Sequence, residues 1–229
     1  MAAVKKKTKS SETKTQILLV DDHPVVRDGL TTIINHQQDL NVCGGADDAH
    51  QALKAIGELK PAVVVVDISL KNSDGIELTK SIKAKYPKLP VVILSVHDES
   101  VYAERALRAG ARAYLMKEVV SENIVNAIRM VLKGEIYVSD TISKKFLHKI
   151  AGDKNKTDKT SIENLSDREF EIFCLIGQGR KASQIAKKLH LSVKTVETYR
   201  GRLKEKLYLD SASELLQYAI KWTKSEDRK

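Results

Sequence analysis

Five side chains could act together if the fold gathers them: Asp21, Asp22, Asp67, Ser95 and Lys117. Each stands at or just behind a short apolar run. The runs are "QILLVDD" (16–22), "AVVVVD" (62–67), "PVVILSVHD" (90–98) and "ARAYLMK" (111–117). Carboxylates a few ångströms apart repel one another, so such a cluster calls for a hard cation. Oxygen ligands with open positions suit Mg²⁺, which keeps waters and takes up a phosphate oxygen. An aspartate beside that ion can attack phosphorus and form an acyl phosphate. Mg²⁺ and Lys117 would neutralise charge, and the Ser95 hydroxyl could hold one phosphoryl oxygen. A single acid behind a strand reads as the first polar loop residue; five polar ends on one rim do not.

The runs must therefore be strands, with helices between them. A continuous apolar run such as Val63–Val66 reads as a strand covered on both faces. Strands are predicted at 16–22, 40–46, 62–67, 90–98 and 111–117. Helices are predicted at 23–35, 47–60, 75–86, 99–110 and 121–134. Pro24 suits a first helical turn, Ser121 an N-cap, and Gly110 and Gly134 helix stops. Five strand–helix units in order imply an α/β fold, a doubly wound five-stranded parallel sheet with helices on both faces. Ligands of such sheets bind beyond the carboxyl ends of the strands, where the five residues stand.

The 229-residue chain is 42% hydrophobic and 30% charged, in the range of soluble globular proteins. It has no apolar window long enough to span a bilayer, and "MAAVKKKTKSSETKT" has no apolar region behind its lysines. Residues 1–14 are expected as a disordered basic tail, and the protein as cytoplasmic, with no membrane partner. Cys43 and Cys174 fit no metal spacing and read as small buried apolar residues in a reducing compartment. The net charge of +9 is uneven: +4 over 1–14, −1 over 15–134, +2 over 135–161 and +4 over 162–229. A basic C-terminal module suits an anionic partner such as nucleic acid, and equally a solvated lysine-rich surface.

Residues 15–134 resemble the receiver domain of two-component response regulators. The matching pieces are "VDDH" (20–23), "VVVVDISLKNSDG" (63–75), "ILSVHD" (93–98) and "AYLMKE" (113–118). The resemblance implies a flavodoxin-like sheet of order 2-1-3-4-5. It implies phosphorylation of Asp67 by a histidine kinase, with Mg²⁺ held by Asp22, Asp67 and the Ser69 backbone carbonyl, and by Asp21 through water. Ser95 and Tyr114 match the family's switch pair: the hydroxyl moves toward the phosphoryl group and the ring turns inward behind it. Lys117 matches the strand-five lysine, and His97 would lie near the phosphoryl group. Leu70-Lys71 and Glu118 replace Met-Pro and Pro of many receivers, which implies altered loops with the ligands kept.

Residues 135–161 read as a linker with one helix, "SDTISKKFLHKI" (139–150). From 162 to 224 only helices are predicted, at about 166–178, 181–190, 192–207 and 211–223, with 225–229 a tail. Ser166 and Ser192 are candidate N-caps, and Gly179 a stop. In 192–207, Val193, Val196, Leu203 and Leu207 share an inner face, while Lys194, Glu197, Thr198 and Gly201 face outward. This segment resembles the LuxR-type DNA-binding domain through "LSDRE", "IA" (185–186), "LSVKTVE" (191–197), "KL" (206–207) and "ELLQYAI" (214–220). The whole chain is thus similar to a NarL/FixJ-type response regulator with an all-α helix-turn-helix domain of four helices. Lys194, Thr195, Arg200, Arg202 and Lys206 are candidate phosphate contacts, and Glu197, Thr198 and Gly201 candidate base-facing positions. Ser183, Tyr199 and Tyr208 depart from the family's usual Lys, His and Gly. Residues 213–222 correspond to a dimer helix or to plain core.

Three functions compete. One is a transcription factor, not an enzyme, whose phosphorylation favours a homodimer on palindromic promoter DNA. Another is a constitutive DNA-binding protein with a degenerate receiver. The third is an aspartyl-phosphate phosphotransferase or phosphatase, which Ser69 disfavours because haloacid-type phosphatases need Asp-x-Asp.

Overall fold

Four consecutive valines cannot hide on one face of a strand, because successive side chains alternate sides. In the computed structural model Val63–Val66 are all buried, and each side chain so covered stabilises the sheet by roughly 1.5–3 kcal/mol. The structure describes residues 14–70, 73–97, 99–151, 162–189 and 191–226. The expected tail before Lys14, linker residues 152–161 and tail residues 227–229 lie outside the described residues.

In chain order the elements are β1 (Thr15–Val20), α1 (Pro24–Asn35), β2 (Leu40–Ala46), α2 (Ala49–Leu59), β3 (Val63–Asp67), β4 (Ser69–Leu70), β5 (Ser73–Asp74) and α3 (Gly75–Lys85). They continue with β6 (Val91–Ser95), α4 (Glu99–Arg108), β7 (Ala113–Met116), α5 (Val120–Leu132), α6 (Asp140–Ile150), α7 (Asp167–Gly177), α8 (Ala182–Lys188), α9 (Val193–Leu207) and α10 (Ala212–Glu226). Short 3-10 turns occupy Lys117–Val119 and Ile162–Asn164. The main sheet is parallel with order β2-β1-β3-β6-β7. Counting its five strands alone, this is the expected 2-1-3-4-5. The two-residue strands β4 and β5, inside the expected β3–α3 loop, pair antiparallel as a small hairpin.

The core on one sheet face takes alternate strand residues: Ile17 and Leu19, Val63 and Val65, Val92 and Leu94, Ala113 and Leu115. Leu30 and Ile34 of α1 and Ile124, Ala127, Ile128 and Val131 of α5 complete it. The β1–β2 register slips between Ile17 and Leu18, leaving Cys43 as the extra residue. Cys43 Sγ donates to the Ile17 carbonyl at 3.3 Å, and burial raises its thiol pKa. Both cysteines are half-buried rather than fully buried.

The structure moves two expected details. Ser121 does not cap α5: that helix begins at Val120, directly after the 3-10 turn that carries Lys117. Val193 does not join the inner face of α9, being 49% exposed in the first turn; only Val196, Leu203 and Leu207 are buried there. A first-turn residue has no preceding turn to lean on, since side chains tilt toward the helix N-terminus.

Two compact units result: residues 1–96 with 106–138, and residues 97–105 with 139–229. In the second, α7 crosses α10 at Gly177. A Cβ there would meet the Ala219 carbonyl at 2.6 Å and Thr223 Oγ1 at 2.9 Å. The close approach brings Phe173 against Tyr218 and Trp222, with ring centroids 5.8 Å apart in each pair.

Candidate functional site

Register places the acids. Val20 pairs with Val66, so the next residues, Asp21 and Asp67, stand side by side beyond two adjacent central strands. Asp67 pairs with Leu94, one residue before Ser95, and Ser95 pairs with Met116, one before Lys117. Residues from β1, β3, β6 and β7 thus converge on one rim although they are up to 96 positions apart in sequence. Gly75 lets α3 begin directly against β3: a Cβ there would lie 2.8 Å from Ile68 Cα and closer still to the Asp67 carbonyl. Asp74 caps that helix, accepting from Ile76 N at 2.6 Å.

Asp21 and Asp67 are almost fully buried, at 2% and 1% exposure. Lys117 Nζ lies 2.7 Å from Asp21 Oδ2 and 2.9 Å from Asp67 Oδ2. Asp21 is saturated: its other oxygen accepts from His23 N at 2.8 Å, and its carbonyl accepts from Arg27, which also pairs with Asp47 at 2.7 Å. Asp67 is the opposite case. Among the described residues, its Oδ1 has no partner in hydrogen-bonding geometry. Its Oδ2 is ion-paired with Lys117.

Burial raises the Asp67 pKa above the ordinary carboxylate value, and the nearby Lys117 charge only partly offsets this. Burial alone would lower Lys117, but its hydrogen bond to Asp21 and the charge of Asp67 win and raise it. Asp21, Asp22, His23 and Asp67 each bring a ligand atom within 4.8 Å of the others. Ser95 and Tyr114 are buried at 0% and 2% exposure, the ring of Tyr114 already turned into the protein. His97 stacks on Tyr102, ring centroids 4.8 Å apart.

In the helical module, Ser192 caps α9, its side chain accepting from Thr195 N at 3.0 Å. The hydroxyls of Ser192 and Thr195 lie 2.8 Å apart, so Thr195 is engaged in the cap. Lys194, Glu197, Thr198 and Arg202 are exposed. Arg200 donates to Glu197 Oε1 at 3.1 Å, and Arg202 lies over the Tyr199 ring at 5.7 Å. Gly201 faces open space: a Cβ there would have no neighbour within 4 Å. Lys206 reaches back to Glu169 Oε2 at 2.7 Å. Glu169 is a buried carboxylate in the capping box of α7, where it also accepts from Ser166 N at 2.8 Å and Ser166 Oγ at 2.9 Å. Burial would raise its pKa, but Lys206 and Ser166 together lower it.

Residues 17–129 match the family model of the response regulator receiver domain, and residues 163–219 match that of bacterial regulatory proteins of the luxR family. The oxygen regulatory protein NreC of Staphylococcus haemolyticus (strain JCSC1435) is 36% identical over 210 residues, covering 90% of this chain and 97% of that protein. Among solved structures, RcsB from Salmonella enterica serovar Typhimurium, bound to promoter P1flhDC in the presence of phosphomimetic BeF3−, is similar. It is 25% identical over 90% of this chain and 98% of that one, with a TM-score of 0.70. A LuxR-family two-component response regulator from Aurantimonas sp. SI85-9A1 is 32% identical, covering 61% of this chain and 99% of that one, with a TM-score of 0.57.

The chain belongs to the NarL/FixJ-type response regulators. It is a DNA-binding transcription factor regulated by phosphorylation. For this response regulator the sequence had singled out the rim residues and the outer face of α9. It did not single out His23 and Arg27 as partners of Asp21, or Glu169 as a buried anion. The signal for Glu169 was present: Ser166 followed three residues later by a glutamate is a capping box. Nothing in spacing alone points to Arg27, because its partners lie at the ends of two separate strands. Among the described residues no helix is long and apolar enough to cross a membrane.

Proposed function

We propose that Asp67 is the phosphoacceptor of this response regulator and that Asp22, Asp67 and the Ser69 carbonyl hold Mg²⁺ for the transfer. The observation that carries this is the buried Asp67 carboxylate, its Oδ2 ion-paired with Lys117 and its Oδ1 without a hydrogen-bond partner among the described residues. A buried polar group without a partner costs about 1–3 kcal/mol, and a fold tolerates that where the group has a task. Asp22 Oδ1 meets only the His23 ring among the described residues, at 3.0 Å, which suits a direct ligand. Asp21 already serves Lys117 and His23, which suits a contact through water. Bound Mg²⁺ supplies charge neutralisation to the transferring phosphoryl group.

The chain's own residues do the rest. An Asp67 oxygen attacks phosphorus on the phosphoimidazole of a histidine kinase. The phosphorus–nitrogen bond breaks, and the imidazole leaves with the bonding pair and takes up a proton. Lys117 faces the oxygens that gain charge, and the Ser95 hydroxyl receives one of them, with Tyr114 packed behind. We read 15–134 as the receiver and 162–224 as the DNA-binding domain of a cytoplasmic protein. Phosphorylation favours a homodimer whose α9 helices enter successive major grooves of promoter DNA. Lys194, Thr195, Arg200 and Arg202 are its phosphate-facing set; Glu197, Thr198 and Gly201 face base edges.

The test is intact mass after incubation with Mg²⁺ and a small-molecule phosphodonor. One added phosphoryl group on the wild type and none on Asp67→Ala is expected. An adduct that survives in Asp67→Ala, or no adduct while a control receiver is labelled, overturns the assignment.

A further inference from the structure

His23 is 64% exposed, yet its ring turns back over the acids instead of into solvent. Its Nδ1 lies 3.2 Å from Asp21 Oδ1 and 3.0 Å from Asp22 Oδ1. The backbone explains the direction. Pro24 holds the preceding residue in extended conformation (φ −97°, ψ 106°), and His23 N is tied to Asp21 Oδ1. The ring does not cap α1, although His23 occupies the N-cap position.

We propose that His23 Nδ1 is a ligand for a divalent metal at the rim, which makes the site favour nitrogen-binding ions such as Co²⁺, Ni²⁺ and Zn²⁺ over Mg²⁺. This rests on the reading that Asp22 and Asp67 hold a cation. Metal–nitrogen and metal–oxygen bonds run to about 2.0–2.2 Å, so two neighbouring ligands on one ion stand roughly 3.0 Å apart in octahedral and roughly 3.4 Å in tetrahedral geometry. The distance from His23 Nδ1 to Asp22 Oδ1 is in that range. A second observation points to the same ion: Asp67, 1% exposed, brings a carboxylate into the cluster whose Oδ1 has no hydrogen-bond partner among the described residues. Lys117 approaches Asp21 and Asp67 through their Oδ2 atoms, while His23 faces Oδ1 of Asp21 and Asp22.

Carboxylate and water alone suit Mg²⁺ and Mn²⁺, whereas an imidazole adds affinity for the later transition ions. The neutral ring would present Nδ1 to the metal with its proton on Nε2. The competing account is a ring that only hydrogen-bonds to the carboxylates. That ring would change the affinity for every divalent ion alike, because its effect would be electrostatic.

The experiment titrates the full chain, freed of metal by a chelator, with Co²⁺ and separately with Mg²⁺, reading heat and the visible Co²⁺ absorption. His23→Ala should weaken Co²⁺ binding by about 10-fold or more and move the band toward that of an all-oxygen site. Its Mg²⁺ affinity should be unchanged, which also shows that the variant is folded. Parallel losses for both ions, or no loss for Co²⁺, overturn the proposal. So does Co²⁺ binding that survives Asp22→Asn, since the ion then sits elsewhere. A wild type that binds no Mg²⁺ at a site removed by Asp67→Asn overturns instead the reading on which the proposal rests.

Discussion

Two carboxylates are buried in two parts of the molecule, and their surroundings are opposites. Glu169, in the helical module, meets Ser166 twice and Lys206 once, and these contacts lower its pKa despite burial. Asp67, at the sheet rim, has Lys117 beside one oxygen and, among the described residues, no hydrogen-bond partner for the other, and burial raises its pKa. The first is a satisfied anion that holds two helices together. The second is an anion kept short of partners, with cationic and acidic neighbours in place around it. Burial alone therefore does not distinguish a working carboxylate from a structural one. The number of donors around it does.

Asp67→Asn gives the largest contrast. It should abolish phosphoryl uptake, seen by intact mass, and yet raise the melting temperature of the metal-depleted protein at neutral pH by a few degrees. Removing a charge that the fold disfavours accounts for the gain. A lower melting temperature would mean that Asp67 is as well satisfied as Glu169. Glu169→Ala should do the reverse, costing the helical module about 2 kcal/mol by loss of a capping box and a buried ion pair. Urea unfolding measures it, and phosphoryl uptake should be untouched.

Acid separates the two further. A lowered folded pKa means that the Glu169 contribution is complete above the unfolded carboxylate value, about 4.3. It is lost as the pH falls through the folded value. The raised pKa of Asp67 has the opposite sign: its contribution is full below the unfolded value, about 3.9, and is lost as the pH rises through the folded one. Urea midpoints of the wild type and Glu169→Gln between neutral and acid pH should therefore converge on acidification.

On α9, Lys194→Ala should weaken DNA binding and reduce the salt slope by about one. Lys206→Ala should instead lower stability by about 1 kcal/mol, because its ammonium serves Glu169. Equal salt slopes for the two would make Lys206 a phosphate contact after all. Smallest of all, Gly201→Ala should add up to about 1 kcal/mol of helix stability, since its Cβ enters open space. A loss of DNA affinity in that stable variant would show that the backbone approaches the duplex at this point.

Much of this was legible beforehand. The valine run, the strand–helix alternation and the polar residues behind each strand depend on local chemistry and on a period of two or 3.6. The capping serines 166 and 192 depend on neighbours three residues away. These are properties of short stretches, and the sequence by itself determined them, along with the identity of Asp21, Asp22, Asp67, Ser95 and Lys117 as a set. Tertiary structure alone decided which partners each polar atom has. Arg27 reaches Asp21 and Asp47, Lys206 pairs with Glu169, and His23 folds back over the acids. Those contacts join residues from different elements or depend on side-chain direction. They are set by strand register and helix packing, and no local period encodes either.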